Sequence, residues 1–236
     1  MTITYPQMAG LLSSPFLSYA NEATVQGIKC LVNLKVPDKL KSLNSHPHVF
    51  LAGGALVRLQ HDRTKGKATY DLTKHDLDFF VVGDTPELRE EYLREFVASL
   101  GGRVTRTNLS YVNVVQEDGT KIQVIMTECR AIKDVVYRFD FSVCRLWLNK
   151  ANEIEGLMSS CPLTCQEDQA NDCVENVVDR QHFVSRQRIA KYEELFGFKT
   201  RVEPGVHLVD DEAPKPTQPI PMEDPFQAIR NGFKYQ

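Results

Sequence analysis

Residues 48–59 read HVFLAGGALVRL and residues 76–82 read DLDFFVV. These two stretches decide the fold. The first opens with a short apolar run, His48 to Ala52, which has the length of a buried strand. Gly53-Gly54 breaks it, and Ala55 to Leu59 begins a helix. The second is another strand, Asp76 to Val82, stopped by Gly83-Asp84. Between them lies His61 to Lys74, a polar stretch with Gly66, three lysines and an arginine. It is expected to be an exposed loop.

Alternate side chains of a strand share a face. Asp76 and Asp78 therefore point one way, and Leu77, Phe79 and Val81 the other. Two carboxylates held side by side repel each other unless a cation sits between them. Mg²⁺ is the natural partner, a hard ion with oxygen ligands that also bridges phosphates. Two such ions ~3.5–4 Å apart can activate an attacking hydroxyl and stabilise a pyrophosphate leaving group. Gly53 and Gly54 would let the backbone approach a triphosphate, and the following helix offers free N–H groups and the positive end of its dipole. Arg58, one turn on, could hold a phosphate with its planar fork, and Lys74 could do likewise. The pattern predicts Asp76 and Asp78 as catalytic residues and metal ligands, and a nucleoside triphosphate as substrate.

Working outward, Pro86 to Leu100 is the clearest helix. Thr85 can cap it, Pro86 suits its first turn, and Glu87 and Glu90 favour its positive end. Leu88, Tyr92, Phe96 and Leu100 are expected to form its apolar stripe. Arg103 to Gln116 and Lys121 to Met126 read as strands joined by a turn at Glu117 to Thr120. Phe139 to Leu148 is a strand or strand-to-helix element. Val174 to Val178 is a short strand candidate, and Asp179 to Phe198 a basic amphipathic helix anchored by Phe183, Ile189, Tyr192 and Phe196. On the N-terminal side, Ala20 to Leu34 reads as a helix and Pro37 to Leu43 as a short one.

The chain has 236 residues, 42% hydrophobic and 25% charged, which is enough to bury a sizeable core. The formal net charge of −3 makes no global case for binding bulk nucleic acid, so any basic surface must be local. No run of eighteen apolar residues suggests a membrane span, and Met1 to Gly10 lacks the features of a signal peptide. A cytoplasmic location is the expectation, and with it free thiols for the six cysteines. The spacing of Cys161, Cys165 and Cys173, with His182 beyond, matches no common zinc site. Six prolines between Pro204 and Pro225 mark an extended tail suited to docking a partner, with Phe226 to Tyr235 as a possible short helix.

LAGGALVR (residues 51–58) followed by KHDLDFFVV (74–82) resembles the first active-site motif of the DNA-polymerase-β-like nucleotidyltransferases. Within them it is most similar to the head of class II tRNA nucleotidyltransferases (CCA-adding) and bacterial poly(A) polymerases. One extra residue stands between the glycines and Val57-Arg58. RFDFSVC (138–144) resembles that family's RRDFTIN motif, which implies that Arg138 and Asp140 shape the nucleotide site near the ribose. Ser142 replaces the usual threonine and Cys144 the asparagine. RQRIAKYEELFGF (186–198) resembles the family's arginine-rich helix, with Arg188 and Lys191 at basic positions and Tyr192 at the aromatic one. The positions that read the base in the family hold His182 and Ser185 here, which argues against a strict C-then-A selector. Many polymerase-β-like enzymes carry a third carboxylate on a later strand, where this chain has Gln123.

The resemblance implies an α/β fold, a mixed sheet of the nucleotidyltransferase type flanked by helices with a short helical appendage. It covers residues 48 to 198 and lacks the tRNA-gripping helices of the CCA-adding enzymes. Compact proteins of this pattern, including viral and phage ones, have similar lengths. The expected organisation is an N-terminal helical segment (1–47), a nucleotidyltransferase core (48–150), an appended helical and cysteine-containing segment (151–202) and a Pro-rich flexible tail (203–236). The implied activity is Mg²⁺-dependent transfer of a nucleoside monophosphate to an RNA 3′ end or another hydroxyl. Transfer of AMP to a protein, and a nucleotide-binding pseudoenzyme or interaction module, stay open beside it.

Overall fold

The structure, a computed structural model, describes residues 28–31, 35–64, 70–108, 110–157, 175–178, 183–197 and 199–210. Its centre is a five-stranded mixed sheet. The strands are β2 (Val49–Leu51), β3 (Asp76–Val81), β4 (Gly102–Thr107), β5 (Tyr111–Gln116) and β6 (Lys121–Met126), in the order β2-β3-β6-β5-β4. All neighbours are antiparallel except β3 and β6. That parallel pair follows from the helix α3 (Pro86–Ser99), which crosses from β3 to β4 and lets the β4-β5-β6 meander close back beside β3.

The sheet's two faces differ. On one, Leu77, Phe79 and Val81 of β3, Val112 and Val114 of β5, and Ile122 and Val124 of β6 are buried against Leu93, Phe96 and Val97 of α3. Leu40 and Leu43 of α1 (Asp38–Leu43) join the same core. Phe79 and Phe96 lie with ring centroids 5.0 Å apart, and burial of each such side chain contributes about 1.5–3 kcal/mol. On the other face Phe80 packs against Phe139 in a smaller cluster that includes Val82, Trp147 and the helix α4 (Ile132–Tyr137). That cluster covers only the Val81 end of β3. The Asp76 end of the same face stays polar.

A second sheet, β1-β8-β7, combines β1 (Ile28–Leu31), β7 (Leu146–Leu148) and β8 (Ile154–Leu157), and a bridge between Ala52 and Trp147 joins it to the first. β1 replaces the last part of the helix expected over Ala20 to Leu34. Its antiparallel register with β8, Ile28 opposite Leu157, supplies long-range pairing that overrides a weak local pattern. The rest of that stretch, the Cys161, Cys165 and Cys173 segment with His182, and the proline-rich tail beyond residue 210 lie outside the described residues.

Other elements differ from the sequence reading. The helix α2 (Gly54–Thr64) runs into the expected loop, and Arg58 and Asp62, one turn apart on it, are paired. Leu72–Lys74 forms a 3₁₀ turn capped by the Asp71 side chain. Of the expected stripe of α3, Phe96 and Leu100 are buried and Tyr92 packs against the core, but Leu88 is exposed, and Arg89, Leu93 and Val97 face inward as well. The Arg89 guanidinium explains this, since it donates to the Gly83 carbonyl at 2.6 Å and draws that side of the helix in. Thr85 caps the helix as expected, accepting from the Leu88 amide at 3.3 Å.

The basic helix, α5 (Arg186–Phe196), starts later than predicted. Ser185 caps it, and the preceding β10 (Phe183–Ser185) pairs in parallel with β12 (His207–Val209). β9 (Glu175–Val178) pairs in parallel with β11 (Lys199–Val202). The last strands were not anticipated, since residues past Gly205 read as tail. Among the described residues no helix is long and apolar enough to cross a membrane.

Candidate functional site

The glycine turn is built by backbone bonds to two sheets at once. The Ala52 amide donates to the Asp78 carbonyl at 3.2 Å, and the Gly53 amide to the Leu146 carbonyl at 3.0 Å. Gly53 has φ +84°, a conformation that favours glycine, and its carbonyl receives the Leu56 amide at 3.0 Å, opening α2. The start of α2 is thereby fixed beside Asp78. Gly54 has a different role. A Cβ there would stand 2.8 Å from the hydroxyl oxygen of Tyr192, so the missing side chain makes room for α5.

Asp76 and Asp78 line one cavity of about 330 Å³ together with Lys121 and Gln123 of β6, Asn113 of β5 and Thr105 of β4. The register places Asp76 opposite Lys121 and Asp78 opposite Gln123, which is in turn opposite Asn113. Asp76 is exposed and Asp78 half-buried. Neither carboxylate makes a hydrogen bond or ion pair among the described residues. Burial, and then the charge of Asp76, push the Asp78 carboxyl up to about 6, while Arg188 and Lys191 pull it the other way.

Those two cations belong to α5, and a chain of contacts sets their position. The Tyr192 ring stacks on Phe141 with centroids 4.8 Å apart. Its hydroxyl receives the Cys144 thiol at 3.1 Å. Arg188 lies over the other aromatic contact point, its guanidinium carbon 5.1 Å from the Phe141 centroid, and donates to Asp140 at 2.6 Å. Asp140 is buried, and its second oxygen accepts the Phe141 amide at 3.0 Å. The carboxylate therefore orients the arginine. Burial pushes the Cys144 thiol up to about 12, against the opposing pull of its bond to Tyr192, and makes it a packing residue.

The other sequence-predicted residues are placed differently. Arg58 pairs with Asp62 at 3.5 Å and lies 5.6 Å from the Phe196 ring centroid, tying α2 to α5. Its charge, after burial, helps hold the His75 imidazole below its ordinary range, so it stands near the acids without pairing to them. Lys74 is exposed and paired with Asp71 at 3.3 Å. Arg138 is exposed at the end of α4 and acts on Cys129, whose carbonyl accepts the Gly83 amide beyond the far end of β3.

Asp76, Asp78, Gly53, Gly54, Asp140, Arg188 and Lys191 are thus brought to one region, and Arg138 is not. Lys121, Asn113 and Thr105 were missed. The signal for Asn113 and Lys121 was the alternation in YVNVVQ and KIQVIM, which period-2 reading assigns to the face of Asp76 and Asp78 only once the strand order is known, and Thr105 sits at a bulge in β4 that no alternation marks. Arg145 was also missed: fully buried, it donates twice to the Phe139 carbonyl, at 3.1 and 3.0 Å, behind the glycine turn.

No protein-family model and no curated protein matches the chain. Its structural neighbours include CCA-adding enzymes. One in complex with CTP is 17% identical, with a TM-score of 0.47, covering 74% of this chain and 44% of that one. The Thermotoga maritima CCA-adding enzyme complexed with tRNA is 17% identical, with a TM-score of 0.44 and coverage of 75% and 43%. An apo form is 18% identical, with a TM-score of 0.48 and coverage of 74% and 43%. The chain spans less than half the length of these enzymes. At such identities and scores the likeness says nothing about the chemistry, which rests on the residues of this chain.

Proposed function

We propose that the protein is a nucleotidyltransferase that moves a nucleoside monophosphate from an NTP to an acceptor hydroxyl. The observation that carries this reading is the pair of carboxylates, Asp76 and Asp78, that line one cavity beside a glycine turn, with Arg188 and Lys191 of α5 acting on Asp78. No group of three or more His, Cys, Asp or Glu suited to a metal occurs among the described residues. Two acids fit Mg²⁺ nonetheless, because this ion keeps waters and takes phosphate oxygens beside one or two carboxylates. Asp76 and Asp78 would hold it, at one or two positions, and it would supply charge neutralisation at the reacting phosphate.

The remaining work falls to side chains. Arg188, held rigid by Asp140 and Phe141, and Lys191 would neutralise the triphosphate with little reorganisation. The backbone at Gly53 and the start of α2 would approach its oxygens. The acceptor's hydroxyl would lie beside the two carboxylates and lose its proton to water. The acceptor oxygen then bonds to the α-phosphorus as the bond to the pyrophosphate oxygen breaks. Arg58 and Lys74 would add positive field from the flank.

Labelled NTPs supplied with Mg²⁺ and mixed RNA and protein acceptors test this. Transfer is expected from the wild type and none from Asp76→Ala/Asp78→Ala. Nucleotide binding without transfer in the wild type would instead indicate a pseudoenzyme, and neither binding nor transfer would sink the reading. Which acceptor pool takes the label separates RNA extension from protein modification.

A further inference from the structure

Resting on that reading, the structure also bears on the acceptor. The cavity that holds Asp76 and Asp78 does not end at them. It continues over β6 and β5 to Thr105 on β4, a width of three strand spacings, on the order of 14 Å. Two rows of side chains cross it. One runs Asp76, Lys121, Val115, Arg103, and the other Asp78, Gln123, Asn113, Arg106, each step a register pair.

Each row starts with an acid in the cavity and ends on a β4 arginine outside its lining, Arg106 lying past a bulge with its guanidinium over the Tyr111 ring. Between them the second row presents two amides joined to each other, Gln123 Nε2 donating to Asn113 Oδ1 at 3.0 Å. This bond fixes both amide planes. It leaves Gln123 Oε1 and Asn113 Nδ2, one acceptor and one donor, without a bond among the described residues. Lys121 likewise has no ion-pair or hydrogen-bond partner among them. In the first row Val115 supplies an apolar floor between Lys121 and Arg103.

We propose that this cavity is the acceptor subsite and that its occupant is a single nucleoside phosphate. A sugar hydroxyl would face Asp78. The fixed amide pair would take a neighbouring donor–acceptor edge of the ligand, as Asn and Gln do with base edges. Lys121 would meet the phosphate. The size of the space suits one small ligand, and a chain with a net charge of −3 offers a long polyanion little beyond these few cations. The ribose oxygen of the acceptor bonds to the α-phosphorus of the NTP, pyrophosphate leaves with the electrons of the broken bond, and the hydroxyl proton passes to water. The product is a dinucleotide.

The full-length protein is given α-labelled ATP and Mg²⁺ with either AMP or an eight-residue oligoadenylate as acceptor, and binding of labelled AMP is measured separately in Asp76→Ala/Asp78→Ala. Dinucleotide is expected from AMP. Gln123→Leu/Asn113→Leu is expected to raise KM for AMP by about tenfold or more, with KM for ATP held within about twofold as proof of an intact donor side. Lys121→Ala should weaken AMP but not adenosine. An unchanged KM for AMP in the amide variant overturns the subsite, and label passing to the oligonucleotide but not to AMP overturns the occupant. If no acceptor is labelled at all, the transferase reading fails by itself. AMP binding that depends on Gln123 and Asn113 would then still support the site, and its absence would remove that too.

Discussion

Two helices flank the acids, and they divide the labour differently from what their sequences suggest. α2 follows the glycine turn directly and carries Arg58, so local order makes it the phosphate-binding helix. Yet Arg58 is committed to Asp62 and Phe196. α5 lies more than a hundred residues from the turn in sequence, and its Arg188 and Lys191 are the cations that act on Asp78. The difference is one of packing. α2 supplies backbone, and α5, seated by Tyr192 against Gly54 and Phe141, supplies charge. A motif read along the chain locates the acids, but the charges that serve them are set by which helix the glycine admits.

The sharpest way to break this comparison is to remove one cation from each helix. Arg188→Ala should lower kcat/KM about a hundredfold, the scale of losing a preorganised electrostatic group, because Asp140 and Phe141 hold that guanidinium in place. Arg58→Ala should cost less than about tenfold, with the loss shared with stability through its contacts to Asp62 and Phe196. Steady-state kinetics beside thermal melts would show it. A larger kinetic loss at Arg58 would reverse the assignment of the two helices.

The second prediction concerns the field between them. In the folded state the Asp78 carboxyl is pushed up to about 6, well above the ordinary range of an aspartate, chiefly through burial and then through Asp76. Its ionised form is therefore destabilising. That cost is fully present above pH ~6, declines as pH falls through this value, and is gone below ~4, where both folded and unfolded states are protonated. Asp78→Asn should accordingly stabilise the Mg²⁺-free protein by on the order of 2–3 kcal/mol at pH 7.5, while abolishing transfer. Melting curves across pH 4 to 8 should show the variant's advantage shrinking toward the acid end. A constant difference would mean that the Asp78 carboxyl is not raised in the folded state.

The acids, the glycine turn and the strand–turn–helix–strand order were legible because each is a local signal: alternation in DLDFFVV, paired glycines and a short apolar run. The mixed sheet was legible from the same signals together with α3 and its Thr85 cap. The open face of the sheet was not. Asn113, Lys121 and Thr105 join Asp76 and Asp78 only through the order β3-β6-β5-β4, which no window of sequence contains. β1 and the parallel pairs β9–β11 and β10–β12 were hidden for the same reason, since their partners are distant. The bare Cα of Gly54 reads equally well as space for a phosphate or for a tyrosine, and the packing of α5 adds the second reading.

That choice yields the smallest and most specific prediction. With a Cβ 2.8 Å from the Tyr192 oxygen, Gly54→Ala must push the tyrosine away, costing about 1–3 kcal/mol as overpacking does. Tyr192→Phe removes the clashing oxygen and keeps the ring on Phe141, at the expense of the Cys144 contact. The two changes should therefore be less damaging together than the sum of their separate effects, by about 1 kcal/mol in a double-mutant cycle of unfolding free energies. If Gly54 were instead reserved for a phosphate, Gly54→Ala would leave stability nearly unchanged and weaken ATP binding, and Tyr192→Phe would not repair it. The sign of the coupling thus separates a glycine that seats a helix from one that seats a nucleotide, without requiring the acceptor to be known.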